Sequence, residues 1–400
     1  MVLTGVEAFS NKKQNPIVSS SRHKAMKDED ADLVVVVGKI IVDDYYREEF
    51  KQERFDESSK SVTIGGGGPQ AAWGAAAALA ILKNESFPFT QGQTTRFPPR
   101  QPVAFVGPVG EFGEAERKAL NAAIGMAVET IQLVEEPSLL TPKIQLWHDE
   151  KQNVHWKPLN NSWGANGADE LWRNRPSSQD IISLFTNSRR VCKNLHLILE
   201  MGEVAAGGGK DSMLLEDPEL LHLAQYIAIE PVAFAEEDED TGVTSIPIRD
   251  VLSCKERLTK HLPDLDMIVP DSHLAEALTG AGFWKQNFDK NEFEVVARYG
   301  PEGSRIFTNH DVYIKIPAAS LESKNGKPIN PTGAGNAFSA ALSTCRSKGL
   351  TLYKSTCIAT AIGAVVCEYE HLPPWTYSVL ERIRRATSEV TELTKDNSKY

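Results

Sequence analysis

The chain has 400 residues and a formal net charge of −11; 41% of its residues are hydrophobic and 24% are charged. These values are ordinary for a globular protein with one large domain or two average ones, and they exclude extensive disorder. The acidic balance argues against a general surface for nucleic acids or anionic membranes, because the mean field repels phosphates. We therefore expect neither as a partner, and any bound phosphate should be held locally.

The first 31 residues are polar and carry charges of both signs, without the hydrophobic segment of a secretory signal. No stretch of the sequence approaches the roughly 20 apolar residues that span a bilayer. The five cysteines are scattered and form no CxxC pair, which is typical of reduced thiols. We expect a flexible N-terminal extension over residues 1–31 and a cytoplasmic protein.

An apolar run, LVVVV at 33–37, begins the fold and predicts a strand buried on both faces. Asp43 and Asp44 follow just beyond it. Glycines at 65–68 precede Pro69 and an alanine-rich run, which predicts a helix packed closely on a sheet. The VAFVG strand at 103–107 is again followed by a glycine-rich turn and an amphipathic helix. This βα repetition indicates a mostly parallel sheet with helices on its faces.

The pattern changes over residues 130–158, where polar and apolar residues alternate around a polar DEKQN centre. This predicts an antiparallel hairpin that forms a small β flap outside the main sheet. Two tryptophans and two histidines of this hairpin are either a lid over a ligand or ordinary packing of the flap on the core: Trp147, His148, His155 and Trp156.

The βα rhythm then resumes, with strand candidates at 194–202, 225–231, 265–271, 293–300 and 304–310. Neither internal repeats nor a compelling linker interrupts this rhythm. We therefore expect one α/β domain over residues 32–385 and a polar C-terminal tail over residues 386–400.

The segment from Thr332 to Gly335 leads directly into a helix of small and apolar residues. At a helix start the backbone N–H groups are unpaired and the helix dipole is positive, so a phosphate can bind there without a basic side chain. The alternative is a helix whose glycines serve only close packing. An acidic protein could handle a nucleotide at such a place.

The full string, TGAGNAFSAAL at 332–342, resembles the C-terminal motif of the ribokinase-like, or PfkB-type, carbohydrate kinases. In that family a Thr-Gly-Ala-Gly-Asp-x-Phe turn forms the anion hole, and its Asp is the catalytic base. Segments at 65–79, 103–114 and 265–280 are similar to the family's other motifs, in the same order. The resemblance extends from about residue 32 to about residue 371 and implies a three-layer α/β sandwich with a mostly parallel central sheet.

The resemblance also implies ATP and Mg²⁺ as cofactors and assigns roles to residues of this chain. The anion hole would be formed by Gly333, Ala334 and Gly335. Candidate nucleotide-binding residues are Thr332, Gly300 and Gly303. The substrate would be bound by Asp43, Asp44, Gly66, Gly67 and Gln70. Asp271 is the candidate metal ligand, and the β flap could build a homodimer as it does in some relatives.

The sequence departs from the family pattern at three polar positions. Asn336 stands where the family has its catalytic Asp, and Gln70 replaces the sugar-binding Asn. Leu274 replaces the Glu of Pro-Asn-x-x-Glu, unless Glu276 substitutes for it from a neighbouring turn. An amide cannot accept the substrate proton, and general-base catalysis is worth roughly 10²–10⁴ in rate.

Two functions therefore remain open. The first is ATP-dependent phosphoryl transfer to a hydroxyl of a sugar, nucleoside or related small alcohol. The second is a weakened or silent kinase-like protein that binds nucleotide or sugar as a sensor or scaffold. A nicotinamide dehydrogenase is a distant third, because the glycine motif lacks its third glycine and does not follow the first strand.

Overall fold

The computed structural model describes residues 32–46, 60–84, 97–148, 154–159, 171, 176–188, 190–201, 213–232, 236–237, 244–288, 292–310, 312–322 and 329–397. The expected N-terminal extension over residues 1–31 lies outside these ranges and stays a prediction.

The strands are, in chain order, β1 (Asp32–Val37), β2 (Ile41–Tyr46), β3 (Lys60–Gly65), β4 (Gln101–Glu111), β5 (Val128–Leu140), β6 (Lys143–His148), β7 (Val154–Pro158), β8 (Val191–Glu200), β9 (Ile227–Val232), β10 (Glu236–Glu237), β11 (Thr244–Ser245), β12 (Met267–Ile268), β13 (Glu294–Arg298), β14 (Ser304–Phe307) and β15 (Tyr313–Ile316).

The helices are α1 (Gly67–Asn84), α2 (Glu114–Ile124), α3 (Ser178–Ser188), α4 (Met213–Glu216), α5 (Pro218–Leu223), α6 (Ile248–His261), α7 (Ser272–Gly280), α8 (Phe283–Asn287), α9 (Ala334–Ser347), α10 (Leu352–Cys367) and α11 (Tyr377–Asn397). Two short 3-10 turns, Leu262–Asp264 and Gly300–Glu302, lie between these elements.

Within the described ranges, nine strands form one large sheet in the order β15-β14-β13-β12-β9-β8-β1-β4-β5. Neighbours from β5 to β13 pair in parallel, and β14 and β15 close one edge antiparallel. Parallel strands need crossover connections, and helices supply most of them here. The expected fold class is confirmed: a mostly parallel sheet is covered by helices on both faces.

Strand β1 shows why the core has two halves. Val34 and Val36 pack into the cluster that contains α1, α9, α10 and α11. Leu33, Val35 and Val37 pack into the opposite cluster, with α3, α6 and α7. Successive side chains of a strand point to opposite faces, so a continuous apolar run is needed where both faces are covered.

A second, smaller sheet has the order β3-β2-β6-β7. The hairpin of β6 and β7 is antiparallel, as the alternating pattern predicts. The flap is larger than that hairpin, because β2 and β3 pair with each other and β2 pairs with β6. Asp43 and Asp44 therefore lie inside β2, a strand of the small sheet.

Two segments differ from the expected boundaries. Residues 130–140, expected in the flap, belong to β5 and pair in parallel with β4 at the edge of the large sheet. Residues 386–397, expected in a polar tail, continue helix α11. Ala386 and Val390 are fully buried there, because every third or fourth residue of this stretch faces the core. The polar composition of this stretch reflects the exposed face of a helix.

All five cysteines are free thiols, and four of them are buried. Among the described residues, none of the helices combines the length and apolar character needed to cross a membrane.

Candidate active site

The candidate site lies at the carboxyl ends of the central parallel strands. The chain proceeds from β1 to β4 and β5 on one side, then returns to β8 and β9 on the other side of β1. Such a reversal opens a crevice between neighbouring strand ends, which is where open α/β sheets bind ligands. The loop before α9 and the glycine segment before α1 meet in this crevice, since α1 and α9 pack on the same face.

The loop that precedes α9 is held in place by Asn330. Its Nδ2 donates to the carbonyl of Glu370 at 2.7 Å, and its Oδ1 accepts the N–H of Thr332 at 3.0 Å. The N–H of Ile329 donates to the carbonyl of Cys367 at 2.7 Å. The bonds to Glu370 and Cys367 fix the loop against the end of α10, and the bond to Thr332 stabilises the loop itself.

The start of α9 has backbone N–H groups without a partner among the described residues. Gly333 is the N-cap in the left-handed conformation, with φ of 80°, and within the described residues no side chain caps the helix. Ala334 donates its N–H to the carbonyl of Pro331 at 3.2 Å, so this amide is already engaged. The N–H groups of Gly335 and Asn336 lie in the first turn and have no intrahelical acceptor. They are the donors that an anion would meet.

Gly333 also packs closely against the first turn of α1. A Cβ at this position would overlap Cγ of Gln70 and lie 2.9 Å from its Cδ. Gln70 is 5% exposed, and its Oε1 makes no hydrogen bond within the described ranges. The residue expected to bind substrate therefore lies directly against the expected anion hole.

A cavity of about 240 Å³ opens beside this contact. Its polar lining residues include Asp43, Thr63, Gln70, Asn330, Thr332, Glu370 and His371. Asp43 is 5% exposed, and its carboxylate packs so closely on Gly65 that a Cβ there would lie 2.7 Å from Cγ of Asp43. A small cavity lined by convergent hydrogen-bonding groups suits a small polar molecule with several hydroxyls.

Asn336 is bound to a buried carboxylate. Its Nδ2 donates to Oε1 of Glu230 at 2.8 Å, and Arg298 donates Nη1 to the same oxygen. Glu230 is only 1% exposed at the carboxyl end of β9. Burial is the largest single effect on the pKa of Glu230 and raises it, but the interactions with Arg298 and His196 together outweigh burial and lower the pKa below its usual range. Glu230 is therefore a carboxylate at neutral pH.

Behind Glu230, a buried polar network ties α9 to the sheet. Nε2 of His196 lies 3.7 Å from the second oxygen of Glu230, and its Nδ1 contacts the hydroxyl of Ser343 at 3.2 Å. Asn194 donates Nδ2 to the same hydroxyl at 3.0 Å. Strands β8 and β9 thus hold α9 near its first turn through Asn336 and two turns later through Ser343.

Of the remaining expected site residues, Gly67 lies at this centre. A Cβ on Gly67 would lie 2.8 Å from Nδ2 of Asn336, so the glycine segment borders the amide. Gly66, Gly300 and Gly303 adopt positive φ values of 79°, 52° and 91° in tight turns. The side chain of Asp44 and those of the hairpin residues Trp147, His148, His155 and Trp156 lie outside what the structure describes.

Asp271 caps α7, where its Oδ1 accepts the N–H of Leu274 at 2.9 Å. Its backbone is bridged to that of Arg298, which places it at the same edge of the sheet. Within the described ranges no group of three or more His, Cys, Asp or Glu side chains could hold a metal ion on its own.

Sequence reasoning missed Glu230 and His196. A signal for Glu230 existed, because a charged residue in the apolar strand QYIAIEP is seldom fully buried unless it is paired. Its partner Asn336 is 106 positions away, so no local pattern identifies the pair.

Comparisons with known proteins found one matching family model and a set of solved structures. The family model described as pfkB family carbohydrate kinase matches residues 232–372, a segment that includes the loop before α9. No curated protein matches the chain in sequence.

Solved structures share the fold at low identity. A nucleoside kinase of the ribokinase family from Methanocaldococcus jannaschii has a TM-score of 0.56 at 18% identity, covering 89% of this chain and 98% of its own. A putative ribokinase from Escherichia coli has a TM-score of 0.58 at 15% identity, covering 88% and 99%. The Arabidopsis thaliana ribokinase complexed with ribose and ATP has a TM-score of 0.50 at 16% identity, covering 88% and 99%.

Proposed function

Because the chain carries a pfkB family segment on a ribokinase-like fold, we propose that it transfers a phosphoryl group from ATP to a hydroxyl of a sugar, nucleoside or related small alcohol. One observation carries the proposal: Gln70, which lines the polar cavity, packs directly on Gly333, the N-cap of the helix with free N–H donors. A hydroxyl in the cavity would therefore lie beside a phosphate at the helix start.

In this proposal, the N–H groups of Gly335 and Asn336 bind the transferred phosphate, and the helix dipole adds to the attraction. Thr332, Gly300 and Gly303 contact the nucleotide. Asp43 and Gln70 bind the hydroxyls of the acceptor, with Gly66 and Gly67 allowing its close approach. The solved Arabidopsis relative, complexed with ribose and ATP, supports the pairing of these two ligands.

Asp271 is suited to assist a magnesium ion. One of its oxygens caps α7, which leaves the second, and Mg²⁺ on nucleotides is held mainly by phosphates and water with one or two carboxylates. When bound, Mg²⁺ would neutralise phosphate charge during transfer.

Asn336 limits the rate of the proposed reaction. Its Oδ1 can accept a hydrogen bond from the attacking hydroxyl and orient it, but it cannot take the proton. We expect turnover lower by roughly 10²–10⁴ than with a carboxylate base, and positioning at the helix start supplies what remains.

The bond between Asn336 and Glu230 favours a second candidate, a protein that binds nucleotide and sugar without turnover. The only carboxylate in contact with Asn336 among the described residues is buried and paired, so it cannot reach a substrate hydroxyl. Such a protein would report its bound state to a partner.

Two assays separate the candidates. Thermal-shift screening with ATP and a panel of sugars and nucleosides measures binding, since a ligand that binds only the folded state raises its stability. A coupled assay then measures ADP release with each acceptor that binds. ADP release that depends on the acceptor and is lost in Asp43→Asn supports the kinase. Binding of both ligands with no ADP release supports the silent binder, and binding of neither contradicts both.

A further inference from the structure

The buried carboxylate of Glu230 accepts hydrogen bonds from two side chains at the start of α9. Oε1 of Glu230 accepts both Nδ2 of Asn336, at 2.8 Å, and Nη1 of Arg298. The three residues come from α9, β9 and the end of β13, which are far apart in the sequence. A Cβ on Gly335 would lie 2.6 Å from Nη1 of Arg298, so the guanidinium rests on the first turn of the helix.

The carboxylate also sets the orientation of the amide. A carboxylate only accepts hydrogen bonds, so Asn336 must present its NH₂ group to Glu230 and turn its Oδ1 away. Gly67 packs against the NH₂ group of Asn336, since a Cβ built on Gly67 would lie 2.8 Å from Nδ2. The amide therefore has little room to rotate. An aspartate at 336 would instead place a second acceptor against Glu230.

We propose that Glu230 is a positioning residue that holds Asn336 and Arg298 at the start of α9, and that its presence requires an amide at position 336. Of positions 230 and 336, only position 230, on strand β9, then has a carboxylate, and position 336, on helix α9, has an amide. The catalytic meaning of this inference rests on the proposed kinase function, whereas the coupling between the two positions does not.

This coupling has a consequence for restoring a catalytic base. Asn336→Asp alone places two carboxylates in contact, and one of them must then bind a proton. Glu230→Gln removes the competing charge and supplies an NH₂ group that can donate to the new aspartate. In that double variant the carboxylate at 336 can take the hydroxyl proton while the new O–P bond forms and the bond from phosphorus to the oxygen of ADP breaks.

The test is a double-mutant cycle in urea unfolding near neutral pH, with wild type, Asn336→Asp, Glu230→Gln and the double variant. We expect each single variant to lower the urea midpoint, and the double variant to recover more than half of the loss caused by Asn336→Asp. The matched control is Asn287→Asp combined with Glu230→Gln. Asn287 is also buried and donates to a carbonyl, that of Phe283 on α8, so its effect should add to that of Glu230→Gln.

A second readout uses acidity and needs only the single variant. Among the residues that the structure describes, the titratable or charged groups that face position 336 are Glu230, Arg298 and, behind Glu230, His196. In the variant, the two carboxylates in contact repel each other, so one pKa of the pair is raised in the folded state and the protein loses stability as the pH rises through that pKa. The midpoint loss of Asn336→Asp, measured against wild type at the same pH, should shrink at about pH 5 relative to pH 7.

Activity provides the third readout. The double variant should release ADP at least tenfold faster than Asn336→Asp with the same acceptor. Additive midpoints in the cycle, or an equal loss for Asn336→Asp at both pH values, would overturn the inference. Coupled midpoints with no ADP release by any variant would support the positioning role of Glu230 and contradict the kinase function.

Discussion

The clearest structural test of the candidate site is Gly333→Ala. Gly333 has φ of 80°, and a left-handed conformation costs a residue with a Cβ about 1–2 kcal/mol. The added methyl also overlaps Cγ of Gln70, which is buried and has to move. Displacing a packed side chain costs a further 1–3 kcal/mol or so. We expect a loss of about 2–5 kcal/mol in the free energy of unfolding.

Gly349→Ala is the matched control. Gly349 has φ of 87°, and nothing lies within 4 Å of a Cβ built there. It should lose only the conformational part, about 1–2 kcal/mol. Urea unfolding measures both variants, and the difference between them isolates the contact with Gln70. The thermal shift produced by ATP should fall in Gly333→Ala and stay unchanged in Gly349→Ala.

Equal losses in the two variants would refute this reasoning, because they would show that Gln70 does not pack on Gly333. An unchanged ATP shift in Gly333→Ala would refute the link between this contact and nucleotide binding.

Three further predictions concern the rest of the chain. The free energy of unfolding, measured in urea, should fall by roughly 3–5 kcal/mol in Arg382→Met, because the buried carboxylate of Glu368 loses the guanidinium that lies 2.6 Å away. The control is Arg385→Met at an exposed ion pair, where the free energy of unfolding should fall by at most about 1 kcal/mol. The pKa of Glu230 is lowered in the folded state, so the ionised carboxylate stabilises the fold above its usual pKa, and this contribution is lost as the pH falls through the lowered pKa. The difference in unfolding free energy between wild type and Glu230→Gln should therefore shrink in acid. Burial raises the pKa of Cys254 to about 12. At mildly alkaline pH a thiol reagent should therefore label this cysteine only after urea unfolds the protein. Rapid labelling of the native protein would contradict the burial of Cys254.

Much of the fold follows from local sequence patterns. The run LVVVV forms a strand buried on both faces, because only a continuous apolar run satisfies two covered faces. The expectation that residues 130–140 lie in the flap shows a limit of such patterns. Alternation of polar and apolar residues predicts a half-exposed strand, but such a strand can lie at the edge of a large sheet, as β5 does, or in a hairpin. Residues 386–397 show the same limit, since a helix with one buried face can have a polar composition.

The candidate site also has one part that the sequence predicts and one part that only the structure shows. The glycine loop before α9 is visible in the sequence, because a helix start with glycines has a local pattern. The partner of Asn336 is not, since Glu230 comes from another strand and meets it only after the sheet has formed. The departure at Asn336 therefore acquires a physical reason only in the folded structure.

A crystal structure with a non-hydrolysable ATP analogue tests the central claim most directly. We predict that the terminal phosphate lies within hydrogen-bond distance of the N–H groups of Gly335 and Asn336, with the cavity of Asp43 and Gln70 open beside it. A terminal phosphate bound away from the first turn of α9, with those two N–H groups facing only solvent, would contradict the account.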